Sequence, residues 1–304
     1  MITAPLHSKE AWVVYLGQAD LPVLRRTMTE LAKLRRDEDN VNARDISSLV
    51  MHDPMMTLRL LRYLQSRRRG GKFAEITTIE HAIMMLGITP FFRSFANLPV
   101  IEDALKEYPY AYQGLMRVMS RARHAGMYAR EWSALRHDVE SEEVYVAALL
   151  HDLAEMLIWC VAPELAMRIE RMMQADRRLR SAVAQKAILG LELADLQLAL
   201  AREWRLPSLL QALMDDRHAE VPRVQTVHLA VALARHSAHG WFDAALPDDF
   251  AEMKKMLGLA DQEARNHVYH IALAVAREWE WYGVPPAACW LPLLPQTPEL
   301  PAPK

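Results

Sequence analysis

The residues in this sequence that could do chemistry centre on an adjacent pair, His151 and Asp152. The pair interrupts VYVAALLHDLAEMLIWCVA, the most apolar stretch of the chain. An imidazole and a carboxylate that are buried together cost free energy unless both are hydrogen-bonded or bind a cation. Two interpretations follow. The pair is either a core histidine and its partner, satisfied by hydrogen bonds within the protein, or a set of metal ligands.

A histidine 27 residues earlier, His124, supplies a candidate further ligand. A His-Asp doublet preceded by a His on an earlier helix resembles the metal site of HD-type phosphohydrolases. In those enzymes His and Asp ligands hold one or two divalent ions, which activate water against a phosphate ester. On its predicted helix His124 lies to one side of the apolar stripe of Val118, Ala122 and Ala129, so we predict that it does not simply face the core.

Glu155 is a further charged residue close to the doublet in sequence. HD domains often read HDIGK here, whereas this chain reads HDLAE. A carboxylate therefore stands where a cation could have met a phosphate. Glu155 follows His151 by four residues, on the same helix face, so it either pairs with an imidazolium or replaces a lost ligand. Both alternatives disfavour an anionic substrate.

A basic run precedes Gly70 and Gly71. Its members are Arg59, Arg62, Arg67, Arg68, Arg69 and Lys72. Cations stabilise the C-terminus of a helix, which makes a solvated helix end one interpretation. The other is a site for an anionic partner such as a phosphorylated protein, a cyclic dinucleotide or a nucleic acid, because arginine binds phosphate in bidentate fashion. No aromatic-rich surface accompanies the run, so we expect no sequence-specific nucleic-acid binding.

The elements that must position these residues are helices throughout. Apolar residues recur at helical spacing, Asp53 before Pro54 and Thr78 before IEHAIMML are predicted helix starts, and no run alternates with a period of two. We predict an all-α fold, and the resemblance to HD-type phosphohydrolases implies an HD-like multi-helical bundle in which an N-terminal helical lobe packs on an HD-related lobe. Its predicted parts are a lead segment (1–20), the N-terminal lobe (21–108), the HD-like lobe (109–240), a helical extension (241–282) and a Pro-rich tail (283–304).

Individual helices are predicted from the same periodicity. In the second lobe they begin with about 115–135 and about 141–160, the latter with Ser141 as its cap. Further helices are predicted at 164–176, 179–189, 192–204, 207–214 and 222–238, and a last one at about 261–282. The aromatic set Trp279, Trp281, Tyr282 and Trp290 then either docks this last helix on the body or forms a partner surface.

Composition limits the class of protein. The chain has 304 residues, 52% hydrophobic and 24% charged, with a formal net charge of −2, which gives no overall attraction to nucleic acid or anionic membranes. Two cysteines are too few for a disulfide framework and fit a reducing compartment. The N-terminus lacks the apolar region of a signal peptide, and charges within the most apolar stretch argue against a membrane span. We therefore expect a cytoplasmic protein.

Several motifs in their order resemble one family, the HDOD domain (HD-related output domain). They are Asp53-Pro54, the Gln65-Ser66 that stands for an Asn-Ser, Ala82-Ile83 with Leu86-Gly87, His124, ALLHDLAEMLIW, Gly190 and a REWRLP segment ending in Pro207. The resemblance covers roughly residues 21–240. It implies an all-helical fold related to HD phosphohydrolases and a place in bacterial signal transduction, in most members as a non-catalytic output or scaffold domain.

The sequence departs from that family pattern at the expected ligands. Gly190 is not followed by a His at the third position, and Asp215-Asp216-Arg217-His218 replaces a His-His pair. Val231 stands where a closing Asp is expected, and valine has no lone pair for a metal ion. At most His124, His151 and Asp152 remain.

These departures predict a non-enzymatic regulatory or scaffold protein without a cofactor. It would act on a signalling partner of a cyclic-dinucleotide or two-component pathway and could form a homodimer, with a joint between the lobes near 107–114. The alternatives are a metal-dependent phosphohydrolase that uses the reduced ligand set with iron, manganese or zinc, and an effector that binds a cyclic dinucleotide through the basic run.

Overall fold

The computed structural model describes residues 1–67, 76–138, 140–176 and 178–292. Within these ranges the regular elements are helices, and the only strand-like pairing is a single bridge between Val23 and Val100. The predicted all-α fold is confirmed. The tail beyond Pro292 and the basic residues Arg68, Arg69 and Lys72 lie outside the described residues.

The helices of the N-terminal part are α1 (Lys9–Gln18), α2 (Arg25–Arg36), α3 (Ala43–Val50), α4 (Pro54–Arg67), α5 (Ile79–Leu86), α6 (Ile88–Ser94) and α7 (Ile101–Ala104). The second part contains α8 (Pro109–Leu135), α9 (Ser141–Leu149), α10 (Leu153–Val161), α11 (Pro163–Ala175), α12 (Ser181–Leu189), α13 (Leu193–Glu203), α14 (Ser208–Leu213) and α15 (Pro222–Ser237). The extension contains α16 (Leu246–Leu257) and α17 (Asp261–Ala276). Short 3-10 turns lie at Glu38–Asn40, Asp216–His218, Trp279–Trp281 and Ala287–Trp290.

Asp53 begins α4 in the way that its position before a proline predicts. One carboxylate oxygen accepts the backbone N–H groups of Met55 at 2.9 Å and Met56 at 3.1 Å. The other accepts the N–H of Leu24 and the hydroxyl of Thr27, both at 2.8 Å. Burial raises the pKa of Asp53 against the effect of these four donors. The side chain thus joins the start of α2 to the start of α4 inside the N-terminal core.

Helices α5 and α9 begin where they were predicted, but neither Thr78 nor Ser141 provides a side-chain cap. Thr78 precedes α5, but its side chain makes no capping hydrogen bond. The carboxylate of Glu142 caps this helix instead, accepting the N–H groups of Ile79 at 2.7 Å and Glu80 at 3.4 Å. Ser141 is the first residue of α9 and not its cap. A residue of the HD-like part therefore satisfies backbone donors of the N-terminal part, which fixes the two parts to each other.

The long helix α8 is the centre of the second part. It begins at Pro109, so the predicted start near residue 115 was too late and the interval 107–114 contains its first turns. Gly126 allows close packing of α9, because a Cβ at this position would lie 2.8 Å from the ring of Tyr145. At Gly114 a Cβ would lie 2.5 Å from the ring of Trp159, which belongs to α10.

The most apolar stretch forms two helices rather than the predicted one. Helices α9 and α10 are separated by a turn at residues 150–152. The segment Ser141–Val161 is long and apolar enough to cross a membrane, but 78% of its most apolar window is buried inside the protein. This burial on α8 and its neighbours is the pattern of a core segment.

The extension packs across the junction of the two parts. Helix α17 ends at Ala276, earlier than predicted, and the chain then passes through the turn at Trp279–Trp281. The ring of Trp281 stacks on His52 with centroids 4.6 Å apart, and the hydroxyl of Tyr282 donates to the backbone carbonyl of His52 at 2.7 Å. Trp281 and Tyr282 therefore dock the extension on the body of the protein, which was one of the two predicted roles, whereas Trp279 is half exposed.

Candidate functional site

His151 and Asp152 lie in the turn between α9 and α10 and not within a helix. Their side chains are 12% and 9% exposed. Helices α8 and α15 both pack against α9, and α8 also packs against α10. Side chains from α8 and α15 reach the turn, so the chemistry of the doublet depends on what these helices present to it.

Asp152 is bound by two arginines. One carboxylate oxygen, Oδ2, accepts Nε of Arg121 at 3.1 Å and Nη2 of the same residue at 2.7 Å. The other oxygen, Oδ1, accepts Nη2 of Arg235 at 3.0 Å. Arg121 lies on α8 and Arg235 on α15. Both oxygens of Asp152 are therefore occupied by guanidinium donors from separate helices.

Glu155 also pairs with an arginine. Its Oε2 accepts Nη2 of Arg121 at 2.8 Å. The predicted pair between Glu155 and His151 is wrong, because the turn at 150–152 ends the helical register that the prediction assumed. Arg121 thus bridges Asp152 and Glu155, and its side chain is only 14% exposed.

His151 faces a carboxylate on each side of its ring. Nδ1 lies 3.4 Å from Oδ1 of Asp152, and Nε2 lies 3.0 Å from Oδ1 of Asp216. His228 of α15 places its Nδ1 3.2 Å from the same Asp216 oxygen. Only an imidazolium can donate from both ring nitrogens, so this geometry favours a protonated His151.

The pKa values of the cluster follow from these contacts. Burial acts to lower the pKa of His151, but hydrogen bonds to Asp152 and Asp216 outweigh it and raise the pKa to about 9. Burial acts to raise the pKa of Asp152, but the charges of Arg235 and Arg121 and its contact with His151 hold that pKa well below its usual range. The pKa of Asp216 is lowered as well, because His151 and His228 outweigh its burial. At neutral pH the cluster is a network of charged partners.

His124 does not belong to this cluster. Its side chain is buried, Nδ1 donates to the backbone carbonyl of Ser120 at 2.9 Å, and Nε2 has no hydrogen-bond partner. Burial lowers its pKa to about 4. The prediction that His124 avoids the core was wrong. The residue of α8 that reaches Asp152 is Arg121, about one helical turn earlier.

The described part of the basic run is engaged within the protein. Arg59 pairs with Asp20 at 2.7 Å and donates to the carbonyl of Leu21, and Arg62 donates to the carbonyl of Gly17 at 2.9 Å. The guanidinium of Arg62 also lies over the ring of Trp204, and that of Arg67 over the ring of Tyr63. For Arg59 and Arg62, the prediction of a free anion-binding surface is wrong, because both fasten α4 to the start of the chain.

The donor set does not fit a catalytic metal ion. Among the described residues, no three His, Cys, Asp or Glu side chains form a group that could hold one. At the doublet, guanidinium donors occupy both oxygens of Asp152, and a metal ion would have to displace them. The predicted ligand set of His124, His151 and Asp152 is not assembled.

Comparison with known proteins identifies the family. The family model for the HDOD domain matches residues 21–220, about two thirds of the chain. The chain belongs to the HDOD domain family. The resemblance expected from the motifs is thereby confirmed, and His151 and Asp152 lie within the matched residues.

Solved structures share the fold of this HDOD protein. The MmoQ response regulator of Methylococcus capsulatus str. Bath is 19% identical, with a TM-score of 0.59, over 83% of this chain and 99% of that one. A virulence factor of Campylobacter jejuni subsp. jejuni is also 19% identical with a TM-score of 0.59, over 89% of this chain and 99% of that one.

A sequence relative is an uncharacterized protein of Treponema pallidum, which is 24% identical over 189 residues. The match covers 62% of this chain and 36% of that protein.

Four residues of the cluster were missed by sequence reasoning: Arg121, Arg235, Asp216 and His228. Arg121 precedes the predicted ligand His124 by three residues, and Arg235 follows the predicted vacant position Val231 by four. Both errors are about one helical turn, so the right helices were chosen in the wrong register. A test of neighbouring turns for residues that can pair with a carboxylate would have found both arginines.

Proposed function

We propose that this HDOD protein is a non-catalytic signalling protein, an output or scaffold domain that acts through contacts with a protein partner in the cytoplasm. The observation that carries the proposal is that the guanidinium groups of Arg121 and Arg235 bind the two carboxylate oxygens of Asp152. A carboxylate that accepts from two guanidinium groups has no oxygen left for a metal ion, and a metal ion is what would activate water in an HD-type phosphohydrolase.

The balance of charge in the cluster supports the same proposal. Asp152, Glu155 and Asp216 carry three negative charges, and Arg121, Arg235 and protonated His151 carry three positive ones. Such a closed network holds helices together and leaves little net field to attract an anionic substrate. The name of the similar MmoQ protein, a response regulator, supports a place in signal transduction.

Complementation of a deletion strain tests the proposal, and it works whichever pathway the protein serves. We expect full-length His151→Gln to restore the phenotype as well as the wild type when both are expressed at equal abundance. Arg117→Gln is the matched control, because Arg117 lies one turn away from Arg121 on α8 and pairs with Glu170 instead, at 2.6 Å. If His151→Gln fails at equal abundance while Arg117→Gln succeeds, chemistry at the site is required and the proposal is wrong.

A biochemical assay with purified protein complements this test. We expect no hydrolysis of bis(p-nitrophenyl) phosphate above that of His151→Gln in the presence of Mn²⁺, Fe²⁺ or Zn²⁺. Turnover that His151→Gln abolishes would instead establish the metal-dependent phosphohydrolase. The predicted homodimer is a separate matter, which sedimentation equilibrium over a range of concentrations decides.

A further inference from the structure

A cavity of about 330 Å³ lies where the three parts of the chain meet. Arg26 of α2 and Glu102 of α7 line it from the N-terminal part, Tyr112 of α8 lines it from the HD-like part, and Glu280 and Trp281 line it from the extension. Its volume is within the range of small-molecule sites, which often lie at interfaces between structural units. The cavity is separate from the charged cluster at the 150–152 turn and shares no residue with it.

The charged residues of the lining favour a cation. The carboxylates of Glu102 and Glu280 outnumber the single guanidinium of Arg26, so one negative charge is left over. Arg26 pairs with Glu280 at 3.3 Å, and this contact balances both of their charges. Glu102 accepts a neutral donor, the backbone N–H of Arg25, at 3.0 Å, and this contact leaves its charge unbalanced.

The aromatic residues of the lining add to this preference. The guanidinium of Arg26 lies 5.0 Å from the centroid of the Trp281 ring, so this ring already attracts a planar cation. Burial, and then the charge of Glu102, raise the pKa of Tyr112, whose hydroxyl therefore stays protonated at neutral pH. Carboxylate acceptors and aromatic rings in one cavity are the groups with which proteins bind guanidinium and ammonium ions.

We infer that this cavity binds a small organic cation, whose guanidinium or ammonium group pairs with Glu102 and Glu280. The inference goes beyond the proposed function, because it gives the signalling protein a ligand of its own at a second place in the fold. A cation held by both carboxylates connects α7 to the extension close to Glu278. Binding therefore stabilises the arrangement of the three parts by mass action.

Calorimetric titration of the full-length protein with n-butylguanidinium tests the inference, and n-butylurea is the uncharged probe of the same shape. We expect saturable binding of one n-butylguanidinium per chain and no binding of n-butylurea. Glu102→Gln should weaken the affinity at least ~10-fold, because a hydrogen bond to a charged group contributes about that much. Glutamine keeps an acceptor oxygen for the N–H of Arg25. Glu107→Gln is the matched control and should bind like the wild type, because Glu107 is exposed and lies outside the lining.

Two further variants make the test independent of the folding of Glu102→Gln. Glu280 is 64% exposed, so Glu280→Gln leaves the core intact and should also weaken binding. Arg26→Gln separates a cation site from an anion site. It removes a like charge and should tighten the binding of n-butylguanidinium at least ~3-fold, whereas an anion would lose the arginine that holds it.

Four outcomes would overturn the inference. They are the absence of saturable binding at millimolar n-butylguanidinium, equal binding of n-butylurea, equal affinities of the Glu102→Gln and Glu107→Gln variants, and weaker binding by Arg26→Gln. A blocked pentapeptide with one arginine between glycines tests the source of the cation. If the peptide binds and the free cation does not, the cation belongs to a protein partner and the assignment to a free ligand is wrong. Each of these outcomes leaves the proposed function intact, because that proposal rests on Asp152.

Discussion

The two carboxylates on either side of His151 stabilise its protonated form, so the free energy of unfolding of the protein should fall at alkaline pH. The pKa of His151 rises from 6.5 to about 9 on folding. Because the folded-state pKa is the higher one, the stabilisation is fully present below pH 6.5 and is lost as the pH rises through about 9. Within that window the free energy of unfolding falls by about 1.4 kcal/mol per pH unit, or about 3 kcal/mol in total.

Thermal unfolding of the wild type and of His151→Gln measures this contribution. An unfolding entropy of about 2.1 cal/mol/K per residue gives about 0.6 kcal/mol/K for the whole chain, so about 3 kcal/mol corresponds to a Tm change of about 5 °C. We expect the wild type to melt about 5 °C above His151→Gln at pH 6 and at nearly the same temperature at pH 9.5. Other groups that titrate in this window contribute to both proteins and cancel in the difference.

The refuting result is a difference in Tm that does not change with pH. It would mean that His151 contributes packing alone and is not an imidazolium held by Asp152 and Asp216. His218→Gln serves as the control, because His218 follows Asp216 by two residues in the same 3-10 turn but is largely exposed and pairs with Glu220. This variant should follow the wild type at every pH.

Three further changes test other buried groups. Glu278→Gln removes the carboxylate partner of Arg123, whose side chain is 7% exposed, and should lower the free energy of unfolding measured by urea denaturation by about 3 kcal/mol. The control Glu280→Gln loses an exposed ion pair with Arg26 and should lower it by less than about 1 kcal/mol. His124 has a folded-state pKa of about 4, below its ordinary 6.5, so the wild type should lose up to about 3 kcal/mol as the pH falls from 6.5 through 4, and His124→Gln should abolish that loss. Asp53→Ala leaves buried donors of α2 and α4 without an acceptor and should cost about 3 kcal/mol by the same denaturation assay, and an effect below about 1 kcal/mol would contradict the capping role.

Most helices could be predicted from the sequence, because the period of apolar residues and the positions of Pro and Gly mark them directly. The helix predicted at 164–176 is observed at Pro163–Ala175, and the one at 222–238 at Pro222–Ser237. The break at residues 150–152 could not be predicted in this way, since no Pro or Gly marks it and the apolar pattern continues through it. Helix α16 was missed, although Gly258 ends it.

The composition of the site was harder to predict than its location. The doublet at residues 151–152 marked the right turn, and the helices chosen around it were the right ones. Which level of α8 and α15 meets the turn depends on how far each helix is displaced along its axis when the helices pack. Residues about one turn apart share a helix face, so the face was right and an error of about one turn exchanged His124 for Arg121 and Val231 for Arg235. Asp216 follows His151 by 65 residues, so no local pattern could join them.

The two charged networks of the molecule constrain different motions. Asp152 joins α8, the turn before α10 and α15, so relative movement of these helices would separate charged groups that are mostly buried. Arg123 and Glu278, together with His52, join α8 to the extension and to the turn between α3 and α4. The first network lies within the HD-like part, and the second lies between parts. A partner that shifts the N-terminal part against the HD-like part must therefore break or rearrange the contacts of Glu278, while the ion pairs of Asp152 stay intact, because the elements they connect move together.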